Sequence, residues 1–132
     1  KYIFSDENTF KEDEKMKIAK VNLLATFSSD RYNKIPINGA QGLLRLLCLE
    51  QGQSVPLHKH SNGDEYFYVI KGKGKIKIGE KEAEAESDCI VKAPAGVLHQ
   101  WKNGPQRLIL LSVVIPPLSY EVADEATKME FV

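Results

Sequence analysis

Three histidines and one glutamate are the residues of this chain best suited to hold a metal ion. His58 and His60 are two positions apart, Glu65 follows five residues later, and His99 comes after the turn-forming run 94–96. Residues two apart share one face of a β-strand but point in different directions on a helix. A lone histidine is more often a surface or core residue than a ligand, but these are all three histidines of the chain. The pattern therefore predicts one metal site.

The segments that carry these residues are short apolar runs separated by Gly, Pro and Asn. They begin at about 8 to 12-residue intervals after residue 42 and read GLLRLLCLE, VPLHKH, EYFYVI, GKIKIG, CIVKAP, LHQWKN and RLILLSVVI. The spacing and the β-branched and aromatic content predict an all-β sandwich or barrel.

Two turns connect the runs around the site. Asn62-Gly63 is the strongest short-range signal for a hairpin, and residues 71–74 (KGKG) form a second turn after EYFYVI. We therefore predict a three-stranded antiparallel meander over residues 56–79. In this meander Glu65 lies on the strand next to the one that carries the first two histidines.

Two aromatic side chains are candidates for a substrate pocket because they share the inward face with the ligands. Phe67 lies two residues after Glu65, and Trp101 lies two residues after His99. They would line an apolar cavity suited to a small planar or carbonyl-bearing ligand. Both could equally be ordinary filling of a barrel, since a small barrel is filled by its own side chains.

The N-terminal third is less regular, and we divide the chain into an N-terminal segment, residues 1–40, and a barrel, residues 41–132. Residues 6–17 could form a short polar helix, residues 17–24 a strand, and residues 28–39 a loop with a short strand. The runs EYFYVI and RLILLSVVI are apolar on both faces and need cover on both sides. Either a second subunit, which predicts a homodimer, or the N-terminal segment supplies it.

Composition and charge exclude several classes of protein. A chain of 132 residues fits one domain whose core needs neither a disulfide nor a structural metal. Its 18 basic and 18 acidic residues cancel, so we expect neither nucleic acid nor an anionic membrane as a partner. Cys48 and Cys89 lie in apolar runs and are predicted to be buried free thiols, which fits a cytoplasmic location. No membrane span or signal peptide is visible.

Two spaced motifs resemble those of the cupin family. The first, G-x5-H-x-H-x4-E-x6-G, is matched with every spacing kept by Gly52, His58, His60, Glu65 and Gly72. The second, G-x5-P-x-G-x2-H-x3-N, is matched by Pro94, Gly96, His99 and Asn103, with Asp88 in the place of the first glycine. Aspartate also forms turns at such positions.

The resemblance covers residues 52–103 closely and 42–115 by strand pattern. It implies an antiparallel β-barrel of jelly-roll form, also called a double-stranded β-helix, with a metal held inside by the three histidines and Glu65. Imidazoles and one carboxylate suit a divalent transition metal, Fe, Mn, Ni, Cu or Zn, without choosing among them. The motif glycines are expected to be structural, and Asn103 is expected to tie a loop by side-chain hydrogen bonds.

The family and an intact four-ligand set favour a metal-dependent dioxygenase, an oxidoreductase acting on a small organic molecule bound at the metal. A Lewis-acid isomerase or lyase is one alternative, and a non-catalytic cupin that binds a small molecule is another. Glu65 could remain a ligand throughout, or it could leave the metal and act as a catalytic base.

Overall fold

The computed structural model describes residues 18–37, 43–115 and 121–122. The described residues form one short helix and ten strands. These are α1 (Val21–Leu24), β1 (Asn33–Pro36), β2 (Leu43–Leu49), β3 (His58–Lys59), β4 (Asp64–Lys71), β5 (Lys73–Ile78), β6 (Lys81–Glu86), β7 (Ile90–Ala93), β8 (His99–Asn103), β9 (Leu108–Ile115) and β10 (Glu121–Val122).

The strands form two five-stranded sheets in which every pairing is antiparallel. Sheet I has the order β1-β2-β9-β4-β7, and sheet II has the order β10-β3-β8-β5-β6. Successive strands often lie in different sheets, so the chain passes back and forth between them, as in a jelly roll. The prediction of an all-β antiparallel barrel of the double-stranded β-helix type is confirmed.

The alternation of side chains along each strand divides the apolar core into two layers. On β2, Leu47 and Leu49 belong to the cluster between the two sheets, whereas Leu46 and Cys48 belong to a second cluster on the opposite face. Because successive side chains on a strand point to opposite faces, an unbroken apolar run such as this one is buried on both sides.

The described part of the N-terminal segment covers the outer face of sheet I. Leu24 of α1 and Ile35 of β1 pack in one cluster with Leu46, Cys48 and Ile109, and β1 pairs with β2 at the sheet edge. The N-terminal segment, which we proposed as the alternative to a second subunit, thus covers β2 and β9. The homodimer and the division of the chain at residue 40 stay predictions.

The predicted meander over residues 56–79 is wrong. β3 lies in sheet II and pairs with β8 and β10, whereas β4 lies in sheet I. Neither Asn62 nor Gly63 adopts the positive φ that a tight hairpin turn requires. The segment after β3 instead carries the chain across the barrel, so Glu65 faces the histidines from the other sheet.

The second predicted turn also connects sheets, because β4 and β5 are not partners. Gly72 has φ +94° and lies so close to the backbone of Arg107 that a Cβ would collide with its carbonyl oxygen. The tight hairpin in this region joins β5 to β6 through Gly79 and Glu80, with glycine at the first turn position.

The remaining local predictions have mixed outcomes. Residues 21–24 form α1 rather than part of a strand, and the helix predicted over 6–17 lies outside the described residues. Two strands were not predicted from the sequence: β6, whose Lys, Glu and Ala residues are mostly exposed, and the short β10. Cys48 is a buried free thiol as predicted, but the free thiol of Cys89 is only half-buried. The short strand within 28–39 is confirmed as β1.

Candidate metal centre

The three histidines and Glu65 meet between the two sheets. The Cα atoms of His58 and His99 are direct partners across β3 and β8 in sheet II, and Glu65 extends from β4 in sheet I. His60 follows β3, and its carbonyl accepts a hydrogen bond of 2.9 Å from Gly96 in the turn that precedes His99. This hydrogen bond joins the turn after β3 to the turn before β8 and so helps to hold the four side chains together.

One carboxylate oxygen is the centre of this cluster. Oε1 of Glu65 lies 2.9 Å from Nε2 of His60, 2.8 Å from Nε2 of His99 and 3.5 Å from Nε2 of His58. All four residues are at most 3% exposed, and their candidate ligand atoms lie within 4.8 Å of one another. The cluster could therefore hold one metal ion.

The outer ring nitrogens decide which atoms face the centre. Nδ1 of His58 is 2.7 Å from the carbonyl oxygen of Pro56, and Nδ1 of His99 is 3.1 Å from that of Val97. A carbonyl oxygen can only accept, so each Nδ1 donates and carries the hydrogen. In a neutral ring Nε2 then presents a lone pair to the Glu65 carboxylate, and a proton or a metal ion must lie between them.

The protonation of the cluster follows from burial and from the mutual contacts. Burial, the largest effect, lowers the pKa of His58 below its ordinary value, which favours the neutral ring that a metal requires. Burial alone would raise the pKa of Glu65, but the contacts with His58, His60 and His99 outweigh it and hold that pKa well below its usual range. Glu65 is therefore ionised.

The second carboxylate oxygen of Glu65 is bound to sheet I. Oε2 accepts a hydrogen bond of 2.8 Å from Nη2 of Arg45 and another from Oγ of Ser112. Arg45 on β2 and Ser112 on β9 are Cα partners, and both are buried. These contacts aim Oε1 at the histidines and leave Oε2 fully engaged.

Neither of these partners was among the predicted site residues, although each leaves a signal in the sequence. Arg45 is the one charged residue within the strand LLRLLCL, and Ser112 is the one polar residue within LILLSVVI. A polar side chain that interrupts a strand buried on both faces needs a buried partner. Such interruptions indicate which strands face a polar site.

The two predicted pocket aromatics lie beside the cluster. Phe67 and Trp101 are each 1% exposed and meet edge to face with ring centroids 5.5 Å apart, and Phe67 is 5.9 Å from the ring of His99. Both line a cavity of about 10 Å³ that also touches His58 and Glu65. They therefore serve as core and as cavity wall, and their role toward a substrate stays a prediction.

The residues present fit a divalent transition metal. Three imidazoles and one carboxylate are the mixed nitrogen and oxygen donors that such ions prefer. The inward lone pairs of His58 and His99, fixed by backbone acceptors on the far side of each ring, are the arrangement found around metal-bound histidines. Their assignment as ligands, and the choice of metal, stay predictions.

The remaining motif residues have structural contacts. The side-chain amide of Asn103 donates to the carbonyl oxygens of Leu49, Glu50 and Gln106 and joins three segments of the barrel end, as expected. Asp88, in the place of the motif glycine, has the positive φ of +77° that explains why glycine is common there.

A family model described as the cupin domain matches residues 45–114, more than half of the chain. The chain belongs to the cupin family. A crystal structure of TT1209 from Thermus thermophilus is similar to it with a TM-score of 0.73 and 30% identity, over 76% of this chain and 98% of that one.

Two further crystal structures share the fold at lower identity. A conserved protein with a double-stranded β-helix domain from Klebsiella pneumoniae has a TM-score of 0.77 and 22% identity, over 84% of this chain and 100% of that one. A sugar phosphate isomerase of the cupin superfamily from Silicibacter pomeroyi has a TM-score of 0.62 and 20% identity, over 72% and 67%. A search of curated proteins found no match. In the described part of the chain, no helix is long and apolar enough to cross a membrane.

Proposed function

We propose that this cupin binds one divalent transition metal ion through His58, His60, Glu65 and His99 and acts as a metal-dependent dioxygenase on a small organic molecule. The observation that carries the proposal is the orientation of two rings, since the Nε2 lone pairs of His58 and His99 both face the ionised carboxylate of Glu65. A cation between these atoms would turn mutual repulsion into coordination.

The metal, when bound, would supply a Lewis acid and, if redox-active, the electron transfer that chemistry with dioxygen needs. The protein residues would fix its surroundings. Arg45 and Ser112 hold Oε2 of Glu65, so rotation of the carboxylate away from the histidines would break both buried hydrogen bonds. This contact pattern supports a permanent ligand role for Glu65 over a catalytic base role.

The walls of the cavity favour oxygen chemistry over the handling of sugars. Leu47, Val55, Phe67 and Trp101 form an apolar side, and the cavity volume of about 10 Å³ is on the order of one water molecule. A sugar needs a matched set of polar donors and acceptors, which this apolar side does not supply. The likeness to a sugar phosphate isomerase, at 20% identity, concerns the fold alone.

A Lewis-acid lyase or isomerase acting on a small oxo acid is the second candidate. It is favoured by two buried N–H groups, Nε of Arg45 and Nε1 of Trp101, which belong to cavity-lining side chains and have no hydrogen-bond acceptor among the described residues. Donors without acceptors suit an oxygen-rich anion.

The test is elemental analysis of protein purified without added metal, followed by oxygen uptake with catechol, flavonol and enediol compounds. We expect close to one equivalent of iron, manganese, nickel or copper in the parent and in the surface control Glu86→Gln, and loss of the metal in His58→Ala/His60→Ala. Unchanged metal content in the double variant would place the ion elsewhere. A zinc-filled parent without oxygen uptake would exclude the dioxygenase and favour the second candidate.

A further inference from the structure

The cavity beside the metal ligands is too small for an organic substrate. Its volume of about 10 Å³ has room for about one water molecule. The proposed function requires a small organic molecule to reach the same ligands, because His58 and Glu65 form part of the cavity wall. Some part of that wall must therefore move before a substrate can bind.

The burial of the lining residues locates the boundary between the cavity and solvent. Seven of the nine described residues that line the cavity are buried, with at most 6% of their surface exposed. The other two are Tyr32, which is half-buried, and Lys34, which is exposed. A fully buried side chain cannot be in contact with solvent, so the boundary lies at these two residues.

Tyr32 supplies the larger part of this boundary. It packs against the apolar cluster between the two sheets, which includes Leu47, Phe67 and Trp101. Lys34 lies across from Leu47 in the β1–β2 register but is exposed, so it fills less of the space beside the cavity. The tyrosine ring therefore separates the cavity from solvent.

The loop that ends at Tyr32 is held less firmly than the strands that carry the metal ligands. It connects α1 to β1 and is fixed by side chains, not by strand pairing. Nδ2 of Asn33 donates to the carbonyl oxygen and to Oγ1 of Thr26, at 3.1 and 2.7 Å. Nε2 of Gln53 donates to the carbonyl oxygen of Ser28 at 2.6 Å. Segments with few backbone hydrogen bonds open at a lower cost in free energy than core strands do.

We infer that Tyr32 is the gate of the metal site, where it excludes molecules larger than about one water until the ring moves away with its loop. Tyr32 is thus a specificity-determining residue, because the space that its ring leaves sets the size of the ligand that can reach the metal. It belongs to the N-terminal segment and lies outside residues 45–114, which match the family model. The inference rests on the proposed function, since it concerns access to the same site.

The single tryptophan tests the gate without any metal, because Trp101 is buried in the cavity wall. Acrylamide, a small neutral molecule, quenches tryptophan fluorescence on contact, so its quenching constant measures how easily an organic molecule reaches the cavity. We expect weak quenching in the parent and several-fold stronger quenching in Tyr32→Ala. Tyr32→Phe keeps the ring and loses only the hydroxyl, so it should match the parent.

Two further variants distinguish a gate from a general loss of packing. Tyr66→Ala removes another half-buried tyrosine, on the opposite face of sheet I from Phe67, and should not increase quenching. Asn33→Ala breaks both hydrogen bonds to Thr26 but keeps the ring of Tyr32, so quenching should increase to an intermediate value. Circular dichroism verifies that each variant is folded at the temperature of the measurement.

The metal-loaded protein tests the consequence for ligand binding. Benzoate is titrated into the copper(II)-loaded protein and followed by the visible absorption of the metal. The parent must open the gate before benzoate binds, and that cost weakens its apparent affinity. We expect Tyr32→Ala to bind benzoate several-fold more tightly than the parent, because the missing ring leaves space for the ring of benzoate. Tyr32→Phe should again match the parent.

Three results would overturn the gate: equal quenching in Tyr32→Ala and the parent, an equal increase in Tyr66→Ala, or equal affinity of the loaded parent and Tyr32→Ala for benzoate. The last of these would mean that another part of the wall opens. Failure of the proposed function is seen separately by elemental analysis. Acrylamide quenching does not depend on metal, so it tests the gate even in a protein that binds none.

Discussion

Nη2 of Arg45 donates a hydrogen bond of 2.8 Å to Oε2 of Glu65, and the two side chains are 7% and 1% exposed. The pair joins β2 to β4 across the intervening β9, whose Ser112 donates to the same oxygen. A buried charge depends strongly on its partner, because water cannot replace the partner. The position of the candidate metal ligand Glu65 is therefore set by residues of its own sheet.

We expect Arg45→Met to lower the free energy of unfolding by about 3–5 kcal/mol, because it leaves the Glu65 carboxylate buried without its cation. It should also weaken metal affinity by about 10- to 100-fold, the usual effect of removing a group that orients a ligand. Urea unfolding and competition with a metal chelator measure the two quantities. Arg107→Met, which breaks the surface pair with Glu50, is the matched control and should change neither quantity appreciably. Equal effects of both variants would contradict the prediction.

Acid should destabilise the metal-free protein. The pKa of His58 is lowered from 6.5, chiefly by burial, and that of Glu65 is lowered from 4.5 by the histidine contacts, which outweigh burial. As the pH falls through the ordinary pKa of each group, the unfolded chain binds protons that the folded chain does not bind. The free energy of unfolding therefore decreases. We expect Tm to be level above about pH 7 and to fall from there toward about pH 4.

Circular dichroism melting curves across this pH range check the prediction. Bound metal excludes protons from the histidines of the folded state, whereas the unfolded chain still takes them up, so the decline should begin at a similar pH and be steeper in the loaded protein. Rising Tm on acidification of the metal-free protein would show that the folded state, not the unfolded state, takes up the protons.

Gly72→Ala should be strongly destabilising. The residue combines φ +94° with a backbone contact that leaves no space for a Cβ beside the carbonyl oxygen of Arg107. The left-handed conformation alone costs about 1–2 kcal/mol for a residue with a side chain, and the collision adds to this. Gly104→Ala is the control, because no described atom lies within 4 Å of its added Cβ. Urea unfolding should separate the two variants by more than about 2 kcal/mol, and similar midpoints would refute this explanation.

The inner face of sheet I and the exposed outer face of its edge strand β7 should differ in their tolerance to truncation. Leu110 is 0% exposed and packs between the sheets, so Leu110→Ala should cost about 2–5 kcal/mol of unfolding free energy. Ile90 is 75% exposed on β7, so Ile90→Ala should stay within about 0.5 kcal/mol of the parent. Thermal and urea unfolding measure both. A large loss in Ile90→Ala would indicate that a partner subunit covers this residue, as the homodimer prediction allows.

Several features followed from local pattern because each depends on few neighbours. Strand parity placed Glu65, Phe67 and Val69 on one buried face of β4, and all three are at most 1% exposed. The motif spacing selected the four clustered residues although the predicted meander was wrong. The alternation of side chains along a strand does not depend on which strand it pairs with, because it determines only which residues share a face.

The amino-acid sequence by itself determined the all-β class, the family motifs and the four residues that could hold a metal, since residue type and period-two spacing express them directly. Only the tertiary structure decided that His58 and Glu65 face each other from different sheets, and that Arg45 and Ser112 hold the second carboxylate oxygen. The two contacts to this oxygen join residues 20 and 47 positions apart in the chain. Strand pairing over such distances depends on the packing of the whole barrel, which no short segment specifies.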